Sequence, residues 1–121
     1  MVNKVYLIGH LGKNPTLRVA GENKVAEVTL ATRDVWKDAD GERQERTEWH
    51  RIEVWNARGE NFAEICRTGD LVHIEGCLRT SQFEKDGQTH YSTVVRVADW
   101  QLLRRKSSSN ERGDEEPVGE G

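Results

Sequence analysis

The chain has 121 residues, of which 35% are hydrophobic and 32% are charged. This length and composition suit one globular domain with a modest core and exclude a second domain of ordinary size. The formal net charge of −3 argues at first against a nucleic-acid binder. However, residues 107–121 carry one arginine against five acidic residues and contribute −4, so residues 1–106 sum to +1. Such a body can still bind a polyanion if its cations cluster on one face.

Cys66 and Cys77 are the two cysteines of the sequence. They have no paired spacing with each other and no ligand-like spacing with the histidines, so we predict neither a disulfide framework nor a metal site. The sequence shows no secretory leader and no apolar run of about 18 residues, which predicts a cytoplasmic protein without a membrane partner. No glycine-rich phosphate loop or nucleophile elbow is present either. We therefore expect no catalytic residue, no cofactor and no enzymatic activity.

The first strand is predicted from Val2 to Leu11, where Val5, Leu7, Gly9 and Leu11 alternate with Lys4, Tyr6, Ile8 and His10. Its other side is also apolar, which predicts that both faces are covered and suggests a subunit contact. Residues 12–23 contain glycine, asparagine and proline, and they predict a turn, a short extended piece and a second turn.

A second strand is predicted from Lys24 to about Val35, with Ala26, Val28 and Leu30 facing inward. Strict alternation would also place Trp36 inward. Either a bulge resets the alternation, or the strand runs beyond the barrel, where there is no interior for a side chain to face. Residues 37–45 are polar with one glycine and predict a flexible hairpin loop.

The central stretch, Thr47 to Trp55, alternates aromatic and basic residues with apolar ones. Read as a strand, it places Trp49, Arg51 and Trp55 on one face, because Ile52 and Val54 take the inner face. Two indoles and a guanidinium offer flat π-faces for stacking and a cation for a phosphate, and single-stranded nucleic acid presents both partners. The alternative is that the two tryptophans pack under a neighbouring loop or subunit.

The segment after the central strand predicts the one helix of the chain. Phe62, Ile65 and Cys66 recur at helical spacing, with Asn56 as the expected N-cap and Gly69 as the expected stop.

A further strand is predicted from Leu71 to Phe83. Its inward set is Val72, Ile74 and Leu78, and its outward set is Glu75, Cys77, Arg79, Ser81 and Phe83. The Asp86-Gly87 pair predicts a hairpin, and residues 91–103 predict the last strand.

Three strands, one helix and two further strands indicate an all-β protein with one helix. This order is typical of the OB-fold, a five-stranded Greek-key barrel with a helix between strands 3 and 4, which binds oligonucleotides or oligosaccharides. We expect this domain to occupy residues 1–106. Residues 107–121 have Val118 as their one apolar side chain and predict a disordered acidic tail.

From about Val2 to Leu103 the sequence resembles the bacterial and mitochondrial single-stranded DNA-binding proteins, which act as homotetramers in replication. The resemblance is carried by NKVYLIGHLGKNP, VTLAT, TEWHRIEVW and HIEGCLRT. It implies sequence-independent binding and protection of single-stranded DNA during replication, recombination and repair, at the bacterial nucleoid. The family's four base-stacking positions fall on Trp36, Trp49, Trp55 and Phe83, although phenylalanine is usual at 55 and tryptophan at 83.

Phosphate contacts are expected from basic residues near these aromatics: Lys4, Arg51 and Arg79, with Arg33, Lys37 and Arg67 as weaker candidates. Thr68, Ser81 and Gln82 stand where basic residues are common in the family, so fewer counterions should be released on binding. Trp100 lies outside the stacking set, which favours core or interface packing. His50 shares the face of Ile52 and is interpreted as a hydrogen-bonded packing histidine.

The acidic run at 114–116, followed by Pro117 and Val118, resembles the tail with which most bacterial members dock on replication and repair proteins. The terminal Pro-Phe of those tails is missing here, so we expect weak recruitment of such partners. The tail charge should compete with DNA for Arg51 and Arg79 at low salt.

Two alternative functions remain open. One is an OB-fold adaptor of replication restart, a dimeric module that recruits proteins. The other is an oligosaccharide-binding OB domain, which would stack sugars on the tryptophans with little salt dependence.

Overall fold

The computed structural model describes residues 1–106, and the predicted disordered tail at 107–121 lies outside the described residues. Residues 1–106 form six strands and one helix. These are β1 (Val5–Leu11), β2 (Thr16–Ala20), β3 (Asn23–Lys37), β4 (Arg43–Trp55), α1 (Asn56–Ile65), β5 (Leu71–Lys85) and β6 (Gln88–Arg104).

Five of the strands close a barrel in the order β1-β5-β6-β4-β3, because β1 pairs with β5 on one side and with β3 on the other. The β4–β6 pair is parallel and the other pairs are antiparallel. Helix α1 connects the third and fourth barrel strands, which confirms the predicted OB-fold. The remaining strand, β2, pairs with β3 alone at the edge and is the short extended piece expected between the two turns.

The barrel interior is filled by the inward residues of the alternating strands, and most of the predicted ones are buried. The innermost side chains are Leu30, Ile52, Val54, Val72, Ile74 and Phe62. Trp100 packs edge-to-face on Phe62, with the ring centroids 5.2 Å apart, which confirms its packing role. His50 is half-buried and hydrogen-bonded to the Thr32 hydroxyl at 2.9 Å, as expected.

The ends of α1 differ from the prediction. The N-cap is Trp55, which makes no side-chain capping bond. Asn56 is instead the first residue of the helix, with a φ of 57°, and its side-chain oxygen accepts the N–H of Lys24 at 3.1 Å. The helix ends at Ile65, and the N–H of Gly69 instead donates to the carbonyl of Leu11 at 2.8 Å. At the start of α1 a bond to β3 therefore replaces the expected side-chain cap, whereas the end of α1 keeps a local bond from the Cys66 N–H to the Phe62 carbonyl at 2.9 Å.

The helix and its exit bury fewer side chains than predicted. Phe62 and Cys66 are fully buried, but Ile65 is exposed. Burial raises the pKa of the Cys66 thiol to about 11, so this cysteine stays protonated and unreactive at neutral pH.

Two hairpins extend beyond the barrel as arms. In the first arm, β3 and β4 pair without a register shift from Val25–Trp55 to Lys37–Arg43, so the predicted loop at 37–45 shrinks to residues 38–42. In the second arm, β5 and β6 pair as far as Lys85–Gln88, across a two-residue Asp86-Gly87 turn with positive φ at both residues.

Leu78 marks the point where β5 leaves the barrel. The pairing of β5 with β1 ends at Gly76, so beyond it β6 is the one strand beside β5. Leu78 is consequently 48% exposed rather than facing the core, and its predicted inward role is wrong.

Asp70 is a fully buried carboxylate that the sequence analysis did not single out. Its two oxygens accept the backbone N–H groups of Arg67 and Lys106, both at 2.9 Å, and Arg105 lies 3.6 Å away. The residue thus ties the exit of α1 to the end of β6. Its own carbonyl accepts the N–H of Leu11, which adds the end of β1 to the junction.

We predict that Asp70→Ala lowers the free energy of unfolding by about 1–3 kcal/mol, because two buried N–H groups lose their acceptor. Asp70→Asn should cost less, since the amide oxygen can still accept one of the two bonds. Chemical denaturation measures both changes. Equal stability of the parent and the alanine variant would contradict the anchoring role.

Candidate nucleic-acid interface

Four side chains of β4 point away from the barrel core, because Ile52 and Val54 between them point into it. They are Trp49, Arg51, Glu53 and Trp55, the set that the alternation predicts. Strand register continues this outer face onto neighbouring strands. Arg96 of β6 lies beside Glu53, and on the other side Thr29 lies opposite Arg51.

Strands β5 and β6 add the other half of the outer face. Their register pairs Arg79 with Val94, Ser81 with Ser92, and Phe83 with His90. Arg51 Nη1 donates to Ser92 Oγ at 2.8 Å and so links β4 to β6.

Between these strands lies a groove of about 470 Å³, here called the outer groove. It brings together three predicted site residues, Arg51 from β4 and Arg79 and Phe83 from β5. Its full lining is Arg18, Glu27, Arg51, Glu53, Arg79, Thr80, Ser81, Phe83, Ser92, Val94 and Arg96.

The outer groove is cationic, with four arginines against two glutamates. Arg18 binds Glu27 at 3.0 Å, and this hydrogen bond lowers the pKa of the Glu27 carboxyl, so the pair stays ionised and cancels its own charge. Within residues 1–106, neither Arg79 nor Arg96 has a carboxylate oxygen within 4.0 Å. The groove therefore keeps cations for an anionic ligand despite the negative net charge of the chain.

Trp49 lies near the start of the first arm with 59% of its surface exposed. Its indole rests against the backbone of Gly12, where an added Cβ would come within 2.5 Å of Trp49 Cζ3. A glycine at this position leaves the room that the ring occupies beside the loop after β1.

Trp55 is half-buried on the barrel wall. Its Nε1–H donates to Glu53 at 3.2 Å, and the Arg96 guanidinium carbon lies 4.9 Å from the ring centroid. Both contacts fix the orientation of the ring. The contact with Arg96 also means that a cation covers one face of this predicted stacking residue.

Trp36 is exposed on the first arm but points away from the other tryptophans. The uninterrupted β3–β4 register excludes a bulge, so the strand extends beyond the barrel, the second of the two explanations given above. Ala31 is paired with Trp49 and therefore shares its face of the hairpin. Trp36 lies five positions along the same strand from Ala31, and because faces alternate with each residue, it lies on the opposite face. The structure does not bring Trp36 into the outer groove.

Phe83 is exposed on the second arm and stacks on His90, with ring centroids 5.4 Å apart and an interplanar angle of 19°. The pair forms a longer aromatic surface than the phenylalanine alone. His90 was not predicted as a site residue, although a hairpin with a two-residue turn at Asp86-Gly87 pairs it with Phe83.

The other cationic candidates, which are Lys4 of the leading set and the three weaker ones, do not line the outer groove. Lys4 binds Glu75 at 3.1 Å, which raises the lysine pKa, and Arg33 lies 3.6 Å from Glu45. Lys37 is exposed near the tip of the first arm. Arg67 donates to the carbonyls of Ala63 and Cys66 at the end of α1, so its guanidinium serves the helix terminus.

Sequence reasoning missed Arg18 and Arg96 as groove residues. Arg18 lies on β2, which reaches the face through its pairing with β3, and Arg96 lies in the run TVVRV, which reads as a strand interior. Counting the alternation forward from His90 would have placed Arg96 on the same face. Among residues 1–106 no three metal-ligating side chains cluster, and none of the helical segments described has the length and apolarity to span a membrane.

We predict that Gly12→Ala moves the Trp49 indole, because the new Cβ would overlap the ring and come within 2.8 Å of the Thr29 hydroxyl. In ¹⁵N-labelled protein, the indole N–H signal of Trp49 should shift more than those of Trp55 and Trp100. A spectrum in which the Trp49 signal stays fixed would contradict this placement of the ring.

Comparison with known proteins agrees with this architecture. Residues 2–103 match the family model of the single-strand binding protein family. The chain is 40% identical over 116 residues to single-stranded DNA-binding protein 1 of Chlorobaculum tepidum, covering 93% of this chain and 72% of that one. It is 34% identical to the protein of the same name from Xylella fastidiosa, covering 93% and 85%.

A solved structure shows the same fold. The structure titled Plasmodium falciparum SSB complex with ssDNA superimposes with a TM-score of 0.76 at 30% identity, over 85% of this chain and 96% of that one. Together with the barrel and its aromatic outer face, these matches show that the chain belongs to the single-strand binding protein family.

Proposed function

We propose that this protein binds single-stranded DNA without sequence preference and protects it during replication, recombination and repair. The observation that carries the proposal is the outer groove, where Arg51, Arg79 and Phe83 line one channel beside Trp49 and Trp55. A single strand offers unstacked bases and a regular row of phosphates, and this surface offers aromatic rings and guanidinium groups that form no ion pair within residues 1–106.

Stacking explains why such binding would be independent of sequence. Every base has a π-face, and base–aromatic stacking is worth roughly 1–3 kcal/mol per base. We propose Trp49, Trp55 and Phe83 as stacking residues of the outer face, with Trp36 contacting the strand where it passes the first arm.

The arginines would bind phosphates and make affinity depend on salt. For single strands, log K falls with log salt by about 0.7 per phosphate neutralised. Arg51 and Arg79 are the leading candidates because they line the groove, whereas Lys4, Arg33 and Arg67 already have partners in the protein. This salt dependence also distinguishes DNA from an oligosaccharide ligand.

We predict that Trp49→Ala weakens binding of a polythymidine oligomer by roughly 1–3 kcal/mol, while Trp49→Phe costs much less because a ring remains. Fluorescence anisotropy of a labelled oligomer measures both affinities. Tyr91→Ala is the matched control, since Tyr91 is an exposed aromatic on the opposite face of β6 from Ser92 and His90. If Trp49→Ala stays folded and binds like the parent, Trp49 is a packing residue.

We also propose that the chain assembles as a homotetramer. Strand β1 presents Tyr6 and Ile8 outward with 61% and 57% of their surfaces exposed, and Tyr6 stacks on His73 of β5 at 6.5 Å. Neighbouring large apolar side chains of this kind favour a subunit contact. The resemblance supports pairing of β1 strands between subunits.

We predict that light scattering finds a mass four times the 13.8 kDa of the chain, and that Ile8→Glu lowers this mass by placing a charge in the contact. Val19→Glu is the control, because Val19 is also an exposed apolar residue but lies on the edge strand β2. A 13.8 kDa parent would end the tetramer proposal, and a parent dimer would favour the replication-restart adaptor.

The remaining assignments follow from DNA as the ligand. We infer a cytoplasmic, nucleoid-associated protein without enzymatic activity, in line with the DNA-binding names of its relatives. Replication and repair proteins are proposed as weak partners, through the acidic residues at 114–116.

A further inference from the structure

Arg96 is the outer-groove arginine with a buried side-chain polar atom that has no partner within residues 1–106. The residue is half-buried, and its Nε is buried without a hydrogen-bond partner within residues 1–106. A buried N–H without an acceptor is costly and uncommon in folded proteins. Its unsatisfied state therefore requires an explanation.

The guanidinium of Arg96 is held over an aromatic ring instead of a carboxylate. Its carbon lies 4.9 Å from the centroid of Trp55, a distance at which the ring attracts a cation. Glu53 is the nearest acidic residue by register, but it accepts the Trp55 Nε1–H at 3.2 Å. The cation is therefore kept in place by a contact that a phosphate can outcompete.

Arg96 also occupies a junction on the surface. It lines the outer groove and, on its other side, a second cleft formed by the N-terminal residues 1–4 with Gly76, Cys77, Val97 and Ala98. Along β5 the face passes from Phe83 to Arg79 and then to Cys77, which is paired with Arg96. A strand following the groove past Phe83 and Arg79 thus arrives at Arg96 and the ring beneath it.

We propose that Arg96 binds a backbone phosphate and covers Trp55 only in the free protein. On binding, the guanidinium leaves the ring for the phosphate, and the uncovered face of Trp55 takes the adjacent base. The phosphate supplies the acceptor that Nε lacks. This inference rests on the proposed function and adds to it a residue that couples phosphate binding to base stacking.

The geometry gives a reason for the movement. A base stacked on this face of Trp55 needs the space that the guanidinium occupies at 4.9 Å. Both cannot share that face at once. Because the guanidinium is planar, it can stack on the ring and later present its N–H groups to a phosphate, whereas the point charge of a lysine cannot cover the ring in the same way.

The test compares Arg96→Gln and Arg96→Lys with the parent in the full-length chain. Binding of a fluorescein-labelled polythymidine oligomer is measured by anisotropy over a series of salt concentrations. Arg96→Gln should bind more weakly at low salt, with a log K against log salt slope shallower by about 0.7. Arg96→Lys should keep the parent slope. Arg58→Ala on α1, which is outside the lining of both clefts, should also keep it.

A second measurement tests the cover over Trp55 without DNA. In a background with Trp36→Phe and Trp49→Phe, acrylamide quenching reports on Trp55 and the core residue Trp100. Both Arg96→Gln and Arg96→Lys should increase quenching. The lysine variant keeps this readout available if the glutamine variant does not fold.

The outcomes separate the inference from the function on which it rests. A parent that does not bind the oligomer would overturn the proposed function itself. A parent that binds, with an unchanged slope in Arg96→Gln, would overturn the phosphate role of Arg96. Unchanged quenching in folded Arg96 variants would overturn the cover.

Discussion

Side chains alternate between the two faces of a strand. Because the barrel is closed, this alternation determines which side chains form the core and which form the outer surface. On β4, Ile52 and Val54 complete the core, and so the residues between them must face outward. The same holds on β5, where Val72 and Ile74 are buried. The same strands therefore supply the core with one face and the interface with the other. A shift of the register by one residue would move the core side chains to the outside and the interface side chains to the inside.

Local charge, rather than net charge, decides what the outer face can bind. The chain carries −3, and its described surface contains many acidic side chains. Several of these acidic side chains form ion pairs with arginines, such as Glu27 with Arg18 and Glu48 with Arg46. Arg79 and Arg51 escape this pairing because their cross-strand neighbours are valine, serine and threonine. A cationic groove can thus exist on an acidic protein.

Sequence reasoning succeeded where the structure depends on a local sequence pattern alone. The outward set of β4, the Asp86-Gly87 turn and the order of the elements follow from alternation and turn chemistry, and the structure has them as predicted.

Sequence reasoning failed where the position or contacts of a side chain depend on a second element of the fold. Asn56 was expected to cap α1, but its side chain is taken by the backbone of Lys24 from another strand. Leu78 was expected inside, but the end of β1 leaves it uncovered. Asp70 and Arg96 gain their roles from partners that are 36 and 41 positions away in the chain, beyond the reach of a local pattern.

The two arms differ from the barrel in what holds them together. They have no core between their faces, and their strands are joined by backbone pairing, by cross-strand ion pairs such as Arg33 with Glu45, and by the tight turns at their tips. Exposed ion pairs contribute little to stability and weaken with salt. Trp36 and Phe83 therefore stand on the parts of the fold that can adjust most easily, while Trp55 stands on the wall of the barrel. In the binding mode proposed above, the wall would fix the register of a bound strand, and the arms would follow its path.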